Sequence, residues 1–448
     1  MCGDIYLLFM ARPYIISALD IGSSKIATLI AQKNPETGRI TVIGAASLPS
    51  KGIKKGQIIN IEEVTQTSVA CVEAAERMAG VSIGRLIVNI SSVQISSLNS
   101  RGIVAVSTPG GEINQDDVIR VVEAAQAVSL PSTQEILHVL PMNFTLDAQT
   151  GIRDPIGMSG VRLEVDTHII MASSVLVRNI AKCVSEIGAQ LDQVVFNGVA
   201  SSYSTLTETE KELGVVTVDI GGGTTDLAIY SEGSLAYSAV IPVGAKNITS
   251  DLAIGLRVSL ESAEKIKLLL SEPQTKISMP EDMLDEPPNR RSKLAEKKKE
   301  DMLDLSSLQL KEEVGDVSRK TLIDGIIRPR LNEIFDLVGA HIKKSGFGHT
   351  IPSGLVICGG GAMSVDLLES SKRRLALPCR IGTPSGVTGL IEDVSSSAYA
   401  TTIGLLLFAM EQDATGESSG KMSFNRSGAN LGTGIVSKIV DMIKSLLP

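Results

Sequence analysis

Val215-Val216-Thr217-Val218-Asp219-Ile220-Gly221-Gly222-Gly223-Thr224-Thr225-Asp226 decides the reading of this chain. Four β-favouring residues, Val215 to Val218, form a short buried-strand signal that Asp219 closes. Gly221, Gly222 and Gly223 then permit a tight turn with bare backbone N–H groups. Such amides, with the Thr224 and Thr225 hydroxyls beside them, suit a phosphate tail. Asp219 and Asp226 stand where they would hold Mg²⁺ through waters. The competing reading is a plain glycine hairpin between two strands.

The pattern recurs. Ile15-Ile16-Ser17-Ala18-Leu19-Asp20-Ile21-Gly22-Ser23-Ser24-Lys25 again places Asp, Ile, Gly and small hydroxyl residues after an apolar run. A third run, Leu355-Val356-Ile357-Cys358, ends in Gly359-Gly360-Gly361-Ala362. Two strand–Asp–Gly turns, one per half of the chain, imply two related domains facing each other across a nucleotide. The third turn would let backbone approach the adenosine and α-phosphate. None of the turns is a Walker loop, because Gly-Lys-Ser/Thr is missing, and none is a Gly-x-Gly-x-x-Gly turn. The set resembles the actin/Hsp70/sugar-kinase superfamily.

Bulk properties narrow the function. A chain of 448 residues should form two or more domains. Its net charge of −8 and 3% aromatic content argue against a nucleic-acid-binding surface. The five cysteines, Cys2, Cys71, Cys183, Cys358 and Cys379, are scattered without metal-ligand spacing and read as reduced core residues of a cytosolic protein. His138, His168, His341 and His349 form no sequence cluster and read as structural or surface residues. No apolar run reaches about 18 residues, so no transmembrane helix is expected. Met10-Ala-Arg-Pro reads as a more natural start than Met1, leaving residues 1–9 as an extension.

Periodicity predicts strands at 26–31, 40–46 and 86–90, and a helix over 61–79 with Val64, Ser68, Cys71, Ala75 and Met78 on one face. Residues 91–172 change character. An alternating strand (Val93, Ile95, Leu98), a helix over 116–128, strands at 137–141 and 144–146, a loop over 151–160 and a strand at 163–172 carry no phosphate turn. They read as an insertion into the first domain, which resumes with a helix over 175–187 and a strand at 193–196. The second domain has strands at 227–231 and 236–241 and helices over 249–256 and 262–270. Residues 271–313 form a charged, apolar-poor block expected to be a mobile insertion. A helix over 321–344 should kink or restart at Pro329, and a final helix is expected near 398–410.

Residues 412–434 read as a flexible linker. After it, Ile435, Val436, Ile439, Val440, Ile443, Leu446 and Leu447 share one helical face, while Ser437, Lys438, Asp441, Lys444 and Ser445 cover the other. About 14 helical residues span roughly 20 Å, too short for a hydrocarbon core of about 30 Å, but able to lie in the interface. A terminal helix docked on its own domain is the alternative.

Residues 12–448 resemble the FtsA family, the bacterial actin homologues of cell division. The resemblance rests on the 19–25 and 212–224 segments, Gly160-Val161-Arg162, Phe196-Asn197-Gly198-Val199-Ala200-Ser201-Ser202-Tyr203, Ile241-Pro242, Gly359-Gly360-Gly361-Ala362, Arg380-Ile381-Gly382, Gly389-Leu390 and the terminal helix. It implies an α/β fold of two actin-like (RNase H-like) domains around a nucleotide cleft, with an inserted 1C-type subdomain and a C-terminal amphipathic helix. The implied layout is an extension, 1–11; subdomain 1A, 12–90 plus 173–205; 1C, 91–172; 2A, 206–240 plus 345–411; 2B, 241–344, holding the charged insertion 271–313; the linker, 412–434; and a membrane-targeting helix, 435–448.

By position, the resemblance implies that Asp20, Gly22, Ser23, Ser24 and Lys25 meet the β/γ-phosphates of ATP and Mg²⁺. Asp219, Gly221, Gly222, Gly223, Thr224 and Thr225 would clasp the phosphates from the other side. Glu264 and Lys267 would flank ribose and adenine, and Gly359, Gly360 and Gly361 would back the adenosine. Asp20, Asp219 and Asp226 are the implied Mg²⁺ residues. The helix with Arg330 and Glu333 would receive the C-terminal tail of FtsZ. Implied partners are FtsZ, further copies of the chain in protofilaments, lipids of the cytoplasmic membrane face at the division site, and later divisome proteins. Hydrolysis would be slow, and no general base stands out. Ala245 stands where relatives often carry glycine, which puts one nucleotide-side turn in question. The alternatives are a PilM-like type IV pilus adaptor and a small-molecule kinase of the same superfamily.

Overall fold

Each Asp–Gly turn joins the two central strands of its own sheet. In the first sheet Tyr14–Ile21 and Lys25–Lys33 pair antiparallel, with Asp20 opposite Ala27. In the second, Val215–Ile220 and Thr225–Ser231 do the same, with Asp219 opposite Asp226. Each leading strand has a parallel neighbour on its other side, Arg85–Ile90 or Leu355–Cys358. Ile40–Pro49 and Ser234–Ile241 extend the hairpins, and Gln190–Phe196 and Cys379–Ile381 lie outside the parallel strands. The two five-strand arrangements match in order and direction, and Val387–Gly389 adds a sixth strand to the first. The structure, a computed structural model, describes residues 14–414 except 36, 108–110, 273–300, 313, 316 and 390–393. The N-terminal extension, the 412–434 linker beyond residue 414 and the 435–448 helix lie outside the described residues.

Burial follows the apolar pattern. Helix Ile61–Ala79 starts at Asn60, whose side chain accepts from the Glu62 and Glu63 N–H groups, and stops at left-handed Gly80. It buries Val64, Ser68, Cys71, Val72 and Ala75. Met78, expected on that face, is 54% exposed, and its sulfur meets the Ala45 N–H instead. Cys71, Cys183 and Cys358 are buried free thiols, and Cys379 is half-buried. The second core gathers Val216, Val218 and Ile357 with Ile334, Phe335 and Val338 of helix Arg328–Ser345.

Residues 96–173 form a four-stranded antiparallel sheet in the order Ser96–Ala105, Arg162–Ser173, Gln134–Leu146, Gln149–Ile152. Helix Gln115–Gln126 covers one face, packing Val118, Val121 and Val122 with Leu163, Val165 and Ile169. Several expectations change here. Val93 is in no strand, because Ser92 closes a turn onto Ile95 and the strand begins at Ser96. The separate strands at 137–141 and 144–146 are one strand, in which Pro141 sits beside a bulge at Met142. The loop over 151–160 begins inside a strand, Gln149–Ile152.

The charged block is also not uniform. Met302–Leu303 pairs with Val317–Ser318, and Leu303, Leu305, Leu308 and Leu310 pack against the second core. A few leucines at suitable spacing dock this segment despite its average composition. The helix expected over 321–344 is interrupted by a π-helical stretch, Ile323–Ile327, before it resumes at Arg328. Pro329 supplies no N–H and crowds the carbonyl four residues back, at Gly325, so the ladder shifts to wider spacing there.

Strand Arg162–Ser173 ties the insert to both domains. Ile170 enters the first core, and His168 meets the second domain. His168 is 1% exposed. Its Nδ1–H donates to Asn99 Oδ1 at 2.6 Å, and its Nε2 accepts from Ser238 Oγ at 2.9 Å. Ser97 and Asn99 donate to the carbonyls of Ser238 and Ala236. Burial holds the His168 pKa down at about 4. The unfolded chain would protonate this imidazole near pH 6.5, while the folded chain keeps it neutral. Stability is therefore full above that pH and falls as pH drops to about 4, by about 3 kcal/mol. In urea unfolding, the stability difference between the parent and His168→Gln should shift against the parent by about that amount from pH 7 to 4, a difference in which the opposite pH dependence of the buried carboxylates cancels.

Candidate functional site

The two Asp–Gly turns meet. A Cβ built on Gly222 would lie 2.0 Å from Ser24 Oγ, and one on Gly223 would lie 2.7 Å from Ser23 Oγ. Only bare backbone fits between the halves at this point. Lys246 Nζ reaches back across the cleft to donate to the Ser23 carbonyl at 2.7 Å, and the Gly56 N–H donates to Ser23 Oγ at 3.1 Å. Gly244 packs under the second turn, where the Ala245 and Lys246 N–H groups donate to the Gly221 and Gly222 carbonyls. A Cβ on Gly244 would meet Gly221 O at 2.6 Å, whereas Ala245 opens helix Ala245–Leu256. The alanine that put this turn in question is therefore accommodated.

Three buried aspartates face the cleft. Asp20 Oδ1 accepts from Asn89 Nδ2 at 2.6 Å and its Oδ2 from Thr402 Oγ1 at 3.1 Å. Asp219 Oδ2 accepts from Thr401 Oγ1 at 2.6 Å. Asp226, opposite Asp219 in the hairpin, has both oxygens within 2.8 Å of Ser91 Oγ. Burial raises the pKa of all three, that of Asp219 to about 6. Among the described residues, no three or more His, Cys, Asp and Glu side chains are grouped as direct metal ligands.

Lys25 is the other charged group here. Its Nζ is buried, has no hydrogen-bond partner among the described residues, and lies 3.2 Å from the centre of the Tyr399 ring. Burial pushes its pKa down to about 8, opposed by the nearby Asp20 and Asp219 carboxylates. A buried ammonium with no acceptor among the described residues, close to the aspartates that precede both glycine turns, fits an anionic oxygen ligand such as a phosphate.

The remaining expected site residues fall in two places. Glu264 and Lys267, on helix Leu260–Ser271, pair at 2.7 Å, and Thr249 Oγ1 lies within 2.9 Å of both. Lys246 lies close enough to Glu264 and Lys267 to feel their charges. Gly359, at φ +82°, and Gly361 pack against Asp219 and Ile220, while Gly360 is nearly open. Thr225 is buried and donates to the Val243 carbonyl. Arg330 and Glu333 lie elsewhere, in a groove with Asp251, Ile254, Ile326 and Pro329. There Arg330 donates to both Asp251 oxygens, at 2.6 and 3.0 Å, and pairs with Glu333.

Sequence reading missed Asn89, Ser91, Lys246, Tyr399, Thr401 and Thr402. Asn89 carried a signal, as a lone polar residue in the buried run Leu86–Ile90. So did the two threonines that open the apolar stretch Ile403–Met410.

Comparison with known proteins gives the family of the chain. Residues 92–171 match the family model described as the SHS2 domain inserted in FtsA, and 216–404 match that for cell division protein FtsA. The cell division protein FtsA of Pseudomonas aeruginosa is 37% identical over 93% of both chains. The chain belongs to the FtsA family. The Escherichia coli FtsA is 34% identical over 90% of this chain and 92% of its own. Among solved structures, a PilM–PilN type IV pilus biogenesis complex matches at TM-score 0.62 and 15% identity, covering 88% of this chain and 98% of that one. MreB5 of Spiroplasma citri bound to ADP matches at TM-score 0.50 and 14% identity over 90% and 99%. At those identities the likeness shows the fold, which is actin-like. FtsA membership makes the chain an actin-like cell division protein. Among the described residues no helix is long and apolar enough to cross a membrane.

Proposed function

We propose that this FtsA-family chain binds Mg-ATP between its two actin-like domains, polymerises on the cytoplasmic face of the membrane at the division site, and tethers FtsZ there. Recruitment of later divisome proteins follows from that position. The observation that carries the nucleotide reading is the buried Lys25 ammonium, which has no hydrogen-bond partner among the described residues and lies near Asp20 and Asp219, the carboxylates that precede the two glycine turns. Ser23, Ser24 and Lys25 on one side, and Gly221 to Thr225 on the other, would hold the phosphates. Lys246 joins them. Asp20 and Asp219 would hold Mg²⁺ through its waters, while Ser91 already engages both oxygens of Asp226. Glu264 and Lys267 would face the nucleoside. Bound Mg²⁺ would supply charge neutralisation at the phosphates. Calorimetric titration with Mg-ATP tests the reading: saturable binding is expected, and no binding would overturn it.

For FtsZ, the groove beside Arg330 offers apolar Ile254, 77% exposed, next to a paired arginine. An extended tail carrying apolar and acidic residues could exchange into the Arg330 pairs. The neighbouring π-helical stretch shapes the groove wall through Gly325 and Ile326. Arg330→Glu would place three carboxylates together. Affinity for a fluorescent FtsZ tail peptide should fall roughly tenfold or more, with Mg-ATP binding unchanged. Undiminished peptide binding would move the FtsZ site elsewhere.

A further inference from the structure

One short segment touches the third glycine turn, Lys25 and two of the three cleft aspartates. Between Ser397 and Thr402 the chain makes a single turn and enters helix Ala400–Ala414. Ser397 O accepts from the Gly359 N–H at 3.0 Å, fixing the third glycine turn. The Tyr399 ring lies under Lys25 Nζ. Thr401 donates to Asp219 of the second domain, and Thr402 donates to Asp20 of the first. Thr401 is 6% exposed and Thr402 fully buried.

We propose that Thr401 and Thr402 are positioning residues that act as one two-pronged support, setting the spacing of the paired cleft aspartates that metal-bound nucleotide requires. Successive helical residues diverge by about 100°, so two adjacent hydroxyls can reach two different carboxylates, one from each domain. Their backbones are joined by one peptide, at a fixed Cα separation. The domains therefore cannot part at the aspartates without breaking a prong. Neither carboxylate depends on its threonine alone. Asp20 also accepts from Asn89, and Asp219 also meets the Ser201 hydroxyl. The prongs thus decide where the carboxylates sit more than whether they are solvated.

This inference rests on the Mg-ATP reading, and the test separates the two. Thr401→Val and Thr402→Val keep side-chain shape and remove the donor. Thr401→Ser and Thr402→Ser keep the donor. Calorimetry would give the affinity of each for ATP with Mg²⁺ and with EDTA, and thermal unfolding without nucleotide would report the ligand-free fold. Each valine variant should lose roughly tenfold or more in Mg-ATP affinity and much less in metal-free ATP affinity, and each serine variant should bind like the parent. Should Thr401→Val not fold, Thr402→Val carries the test, because its aspartate keeps Asn89. Parental Mg-ATP affinity in the valine variants would overturn the inference. So would equal losses with and without Mg²⁺, or failure of serine to restore binding, since a merely structural role predicts those. A parent that binds no Mg-ATP would overturn the underlying nucleotide reading instead.

Discussion

Gly222→Val is expected to abolish ATP binding, giving no measurable heat on titration with Mg-ATP. The reason is steric and lies at the contact between domains. A Cβ at Gly222 would stand 2.0 Å from Ser24 Oγ, 2.9 Å from Ser24 Cβ and 3.2 Å from Ser24 N. The hydroxyl alone could rotate away, but the Ser24 Cβ and amide cannot. They belong to the turn that Gly22 closes by donating to the Lys25 carbonyl. Valine adds two further methyl groups at the same place. The turns must then separate, taking Ser23, Ser24 and the Lys25 ammonium out of reach of the Gly221–Thr225 amides. Both sheets keep their cores, so unfolding by urea should change little. If Gly222→Val binds Mg-ATP like the parent, the phosphates do not lie between these turns.

Ile439→Glu with Ile443→Glu is expected to abolish sedimentation with anionic liposomes while leaving binding of Mg-ATP and FtsZ tail peptide intact. Both residues lie outside the described part of the structure, on the apolar face that the sequence pattern gives to 435–447. A helix over 435–447 lying on a bilayer removes seven large apolar side chains from water. At roughly 25 cal/mol per Å² this is worth several kcal/mol before ordering costs. Lys438 and Lys444 add about 1 kcal/mol each on an anionic surface, partly offset by Asp441. One tail should therefore bind reversibly, and a filament displaying many tails should bind tightly through effective concentration. Two carboxylates in the middle of the apolar face would remove the burial. Parental co-sedimentation of the double variant would mean that the tail is not the anchor, and would favour the docked-helix alternative.

The sequence by itself determined the two-domain plan. An apolar strand closed by Asp-Ile-Gly can be recognised locally, because the strand, its acidic end and the bare turn are consecutive in the chain. Its recurrence at Asp20 and Asp219 therefore foretold two sheets with the same hairpin at their centre. Helix Ile61–Ala79 was legible for the same reason, since its cap, its periodic face and its glycine stop are all local. Local averages also misled. The charged composition around 301–312 hid four leucines that reach the second core, and the sequence divided one bulged strand at Pro141.

Only the tertiary structure decided what surrounds the aspartates. Asn89, Ser91, Thr401 and Thr402 lie 69, 135, 182 and 382 residues from the carboxylates they meet. No periodicity encodes such pairings: Asn89 reaches Asp20 only once their two strands pair in parallel, Ser91 reaches Asp226 only where the first domain meets the second, and the threonines arrive on helix Ala400–Ala414. The same holds for His168, whose neutral state depends on a second-domain strand 70 residues away, and for Lys25, whose ammonium is buried against the ring of Tyr399, far along the chain. Composition and spacing place a residue on an element; burial and charge at a distance follow from how the elements meet.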